Sequence, residues 1–185
     1  MLKAAIFFVL YFAVVLAFEI INCRRGKLKR SIRFLALRTI FYIYVFLVIK
    51  VTLFPIPYQK TELDGLRKNF GAGLENNFIP LKSISGILRS NAGLLVKLRQ
   101  IGGNLCLMVP LAFYMPAVKK RFRRAGNVFM LLFACSCAVE AAQFLIGRVI
   151  NYNYRVVDID DVILNVCGGM AGYLMWKLSR LRRRA

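Results

Sequence analysis

Asp158, Asp160 and Asp161 stand directly before an apolar run, inside RVVDIDDVILNVCGGMAGY at residues 155–173, and hold three of the chain's eight acidic side chains. A carboxylate in a lipid-buried helix costs about 2.5 to 3.5 kcal/mol at mid-membrane and less near the interface, so such groups face a protein interior or a wet cavity. Carboxylates this closely spaced suit a hard cation, Mg2+ or Mn2+. Glu140 would then serve as base toward a metal-bound water. Without a metal the same aspartates, with Arg155, rim a polar pocket, since the planar fork of Arg matches phosphate. The chain has no histidine, which excludes imidazole bases and His metal ligands. Cys23, Cys106, Cys135, Cys137 and Cys167 lie in or at the ends of apolar runs and read as small apolar fillers.

The elements that must position these groups follow from composition. With 59% hydrophobic residues and a formal charge of +20 in 185 residues, the chain is expected to be an all-α, polytopic membrane helix bundle. It has about five transmembrane helices, near 2–22, 34–54, 101–118, 127–147 and 159–177, each about long enough to cross the hydrocarbon. Pro110 is expected to kink the third. Glu19 is expected to pair with Arg24 or Arg25 at the interface, and Arg38 to snorkel.

Residues 1–54 thus form an N-terminal helix pair, 55–100 an extracytoplasmic loop, 101–178 a three-helix core and 179–185 a basic tail. In the loop, Ile84, Ile87, Leu88, Leu94, Leu95 and Leu98 recur at helical spacing over 81–99, which predicts one outward amphipathic helix lying in the interface. Basic clusters at 23–33, at 119–124 and in the tail follow the first, third and fifth spans. A single topology places all three on the cytoplasmic side, with the N-terminus outside and the C-terminus inside. Because Lys and Arg form short clusters between apolar runs, and no stripe on one folded face, nucleic acid is excluded as a partner and membrane lipids take its place.

Counting along these helices brings the polar residues together. At a rise of about 1.5 Å per residue, Asn104, Glu140 and Asn165 lie about 6, 10 and 9 Å from the outer ends of their helices. Ser136, Glu140, Gln143 and Gly147 share one helical stripe; Asp161, Asn165, Gly168, Gly172 and Trp176 share another. Gly168, Gly169 and Gly172 permit close helix packing. The expected outward-facing pocket therefore comprises Asn77, Asn104, Glu140, Gln143, Arg155, Asp158, Asp161 and Asn165. No catalytic residue is assigned and no cofactor is expected, Mg2+ or Mn2+ at Asp158, Asp160 and Asp161 being the alternative.

Four blocks in order carry a resemblance: NFIPL at 77–81, NLCLMVPLAF at 104–113, EAAQ at 140–143 and RVVDIDDVILNVCGG at 155–169, followed by Gly172 and Tyr173. Over roughly 77–176 the chain resembles the VanZ-like membrane proteins. That resemblance implies a small multi-spanning protein of the bacterial cell envelope, associated with low-level resistance to teicoplanin, a lipoglycopeptide that binds cell-wall precursors. The expected function is binding of a lipid-linked precursor or of the lipoglycopeptide in the outward pocket. The alternative is a metal-dependent membrane enzyme acting on a lipid-linked phosphate or sugar.

Overall fold

The computed structural model describes residues 2–24, 32–71 and 73–181. Most of the first basic turn, 25–31, and the end of the basic tail, 182–185, lie outside the described residues. The chain divides into two compact units, Met1–Val51 and Thr52–Ala185.

The first unit is built from α1 (Leu2–Arg24) and all but the end of α2 (Ile32–Leu53). Both are apolar around their whole circumference, and a backbone in lipid must satisfy its own hydrogen bonds, so a helix is the one local solution open to each run. Phe46 packs among the rings of Phe7, Phe8 and Phe12. The Tyr11 hydroxyl donates to the Tyr42 carbonyl at 2.7 Å. Glu19 corrects the expected interfacial pairing: it forms an ion pair with Arg38 and accepts from the Tyr42 hydroxyl. Arg38 and Tyr42 are one turn apart on α2, so both reach the carboxylate. In an apolar hairpin this is the arrangement that leaves neither charge facing hydrocarbon.

The second unit contains α3 (Lys60–Phe70), α4 (Lys82–Arg89), α5 (Leu94–Lys97), a π-helical turn (Leu98–Gly102), α6 (Gly103–Leu107), α7 (Val109–Val118), a 3-10 turn (Lys120–Arg123), α8 (Ala125–Val149) and α9 (Ile159–Leu181). Two expectations are corrected. The amphipathic helix ends at Arg89, because Ser90 is extended and Asn91 and Gly93 follow. Residues from Leu94 instead begin the third apolar stretch, Leu94–Val118. That stretch breaks at Met108, so Pro110 falls in the first turn of α7, where its missing N–H costs nothing. Within the loop, α3 was not anticipated at all.

Among the described residues four stretches are long and apolar enough to cross a membrane: Ile6–Arg24, Leu35–Leu53, Leu94–Val118 and Ala125–Val149. The 23-residue α9 is not one of them, since its charged first turn, Asn165 and glycines dilute it. It is instead the helix on which α6, α7 and α8 all pack. Met108, Ala112, Val128, Leu132, Val162, Val166, Tyr173 and Trp176 form the core between them. A Cβ on Gly168 would fall on the Leu105 carbonyl oxygen, and one on Gly172 would sit 2.6 Å from the Val109 carbonyl oxygen. The two glycines therefore set how near the backbones of α6 and α7 come to α9.

Candidate functional site: a cavity between α3 and the 152–156 loop

A short parallel seam joins residues 73–77 to residues 153–159. Leu74 N–H donates to the Asn153 carbonyl at 2.9 Å, Asn77 N–H to that of Val157 at 2.9 Å, and Ile159 N–H to that of Asn77 at 3.0 Å. Gly73, at φ 97°, is where the chains come nearest: a Cβ there would run into the Asn153 backbone. The seam fixes the NFIPL segment over the start of α9.

The DIDD run then separates into three jobs. Asp158 caps α9, accepting from Asp160 N–H at 2.9 Å and from Asn77 Nδ2 at 2.8 Å. Its own N–H donates to Glu140 Oε2 at 2.9 Å. Asp160, 1% exposed, accepts from the backbone N–H groups of Leu81 and Ile84, and so caps α4 from a different helix. Asp161 is half-buried, accepts from Asn104 Nδ2 and faces a cavity. Backbone N–H groups thus claim oxygens of the first two carboxylates, while the third points elsewhere. Among the described residues no group of three or more His, Cys, Asp or Glu is placed to hold a metal ion. The three aspartates therefore do not fit a shared Mg2+ or Mn2+.

The cavity, about 900 Å³, is lined by Pro55, Pro57, Leu66, Phe70 and Leu74 on its apolar side, and by Glu62, Gln143, Tyr152, Asn153, Tyr154, Arg155 and Asp161 on its polar side. Arg155 Nη2 donates to the Phe54 carbonyl at 2.6 Å, and the Tyr154 hydroxyl to that of Leu53 at 3.1 Å. Burial pushes the Tyr154 phenol above its usual range, and the neighbouring Arg155 guanidinium partly offsets this. Gln143 is buried, donating from Nε2 to the Thr52 carbonyl at 3.0 Å, while its Oε1 has no partner.

Of the eight residues expected in the pocket, Gln143, Arg155 and Asp161 line this cavity, and Asn104 stands behind Asp161 as its hydrogen-bond donor. Asn77, Glu140 and Asp158 form a buried knot that holds the two loop segments to α9. Asn165 lies deeper, donating to Ser136 Oγ at 2.9 Å, with its Oδ1 unpartnered. Asn77 and Asn104 both give an amide N–H to a carboxylate, Asp158 and Asp161 respectively.

Sequence reasoning missed the far wall. Glu62, Leu66 and Phe70 come from α3, whose Leu63, Leu66 and Phe70 at spacings of three and four were a helical signal within a segment treated as loop. Arg67 on the same helix donates to the carbonyls of Ile150 and Asn151, both at 3.1 Å, which docks α3 at the end of α8. A family model described as VanZ/LLP1 matches residues 41–180. No curated protein and no solved structure matches the chain.

Proposed function

The chain belongs to the VanZ/LLP1 family, and from that premise we propose that it is a multi-pass protein of the bacterial cell membrane that contributes to low-level teicoplanin resistance. It does so by holding an acyl-bearing ligand, either a lipid-linked cell-wall precursor or the lipoglycopeptide itself, in the cavity between α3 and the 152–156 loop. The observation that carries this reading is the cavity's division into a wall of proline, leucine and phenylalanine and an opposite wall of charged and amide side chains. Amphiphile sites have that division, with apolar surface for the chain and a few convergent polar groups for the head. In the proposed topology α9 completes a fifth crossing, the N-terminus lies outside and the C-terminus is cytoplasmic, so the cavity opens outward where either ligand is found.

The test is equilibrium binding of fluorescent lipoglycopeptide, and separately of lipid-linked precursor, to the purified protein in detergent. Arg155→Ala and Leu66→Asp each weaken binding about tenfold or more, as expected for a 152–156 loop released from its tie to the Phe54 carbonyl and for a wetted apolar wall. Unchanged affinity in both variants removes this cavity from the account.

A further inference from the structure

We infer that the polar wall of this cavity selects a hydrogen-bond-donating, positively charged head, an alkyl ammonium in its simplest form, over a phosphate. The inference rests on the proposed function of the cavity and, because a lipid-linked precursor carries its head through phosphate, counts against that candidate and for the lipoglycopeptide. It starts from an inversion of charge. The chain carries 28 Lys and Arg against 8 Asp and Glu, yet this cavity has two carboxylates, Glu62 and Asp161, to one guanidinium, Arg155.

The guanidinium is turned toward the protein, donating to the Phe54 carbonyl at 2.6 Å. On the opposite side of the ledger of donors and acceptors, the acceptors dominate. Asp161 receives one donor from Asn104, and a carboxylate has room for more than one. Gln143, 8% exposed, gives one amide N–H to the Thr52 carbonyl and has a buried Oε1 without a partner. An unpaired buried carbonyl is destabilising, and a ligand N–H is what it lacks. A phosphate brings acceptors alone and negative charge, so it would meet like charge at Glu62 and Asp161 and leave Gln143 Oε1 as it is. An ammonium brings three donors and the complementary sign.

The experiment compares dodecylamine with dodecyl phosphate, matched in chain length, on the full chain in a non-ionic detergent, by native mass spectrometry and by competition against a bound fluorescent lipoglycopeptide. The amine binds about tenfold or more tightly than the phosphate at pH 7. Glu62→Gln, at an exposed position, and Asp161→Asn each reduce that preference severalfold, and together they abolish it. Equal binding of the two amphiphiles, tighter binding of the phosphate, or a preference that survives the double variant overturns the inference. In the first two cases the cavity's role as an amphiphile site stands. If the amine binds with the expected preference but neither lipoglycopeptide nor lipid-linked precursor displaces it, the charge preference stands and the proposed natural ligands fall.

Discussion

Asp160→Ala isolates the contact that holds the start of α4. Asp160 is almost wholly buried, and its two oxygens accept from Leu81 and Ile84 at the start of α4. Hydrogen bonds to a charged acceptor contribute about 1.5 to 3 kcal/mol each. Removing the carboxylate forfeits two of them but also recovers part of the cost of burying a charge. Leu81, held at φ 65°, gives up backbone strain of about 1 kcal/mol once released. The net loss is about 2 to 4 kcal/mol, confined to residues 78–89. In native-state hydrogen exchange that corresponds to amides of α4 exchanging about 30 to 1,000 times faster, with α8 and α9 unchanged. Asp160→Asn keeps one acceptor oxygen and should show about a tenfold effect. Unchanged protection of α4 in the alanine variant would refute the capping argument. Equal loss across α8 and α9 would refute the claim that Asp160 acts locally.

Three further expectations follow from packing and charge. Gly168→Ala and Gly172→Ala place a methyl on the Leu105 and Val109 carbonyls and should each cost about 1 to 3 kcal/mol in detergent unfolding, whereas Gly65→Ala on α3, with open space around it, should be neutral or stabilising. Arg38→Leu leaves Glu19 without its cation and should lower stability by about 3 kcal/mol, most of it restored by adding Glu19→Leu; a double variant no better than the single would show that the pair is not coupled. Glu140→Ala removes the acceptor for Asp158 N–H and should destabilise the second unit by about 1 to 3 kcal/mol. Ligand affinity per folded molecule should change little, because Glu140 is not in the cavity wall, and binding to the refolded fraction separates the two effects.

Several features were legible along the chain because lipid leaves little choice. The apolar runs had to be helices, and the stripe Ser136, Glu140, Gln143 and Gly147 had to share a face at a period of 3.6; all four are buried together on α8. Gly168 and Gly172 were equally readable, since small residues one turn apart serve close approach. Asp158, Asp160 and Asp161 were not separable in this way. All three are acidic and lie within four residues, and their roles depend on which donors the 77–84 segment and its neighbours present to each. Glu19 was misassigned for a similar reason, because its partner across the hairpin is 19 residues away while two arginines are only five and six residues away.

By itself, then, the sequence determined that this is a helical membrane protein, which faces of α8 and α9 are polar, and that carboxylates gather where α9 begins. Period and hydropathy are local properties, and they carry that much. The tertiary structure decided which of those polar groups are consumed in capping helices and which face open space, and it supplied the second wall of the cavity from α3. Those outcomes turn on contacts between segments some 80 residues apart, such as Asn77 with Asp158 and Leu81 with Asp160. No periodicity within either segment specifies the other's hydrogen-bond donors.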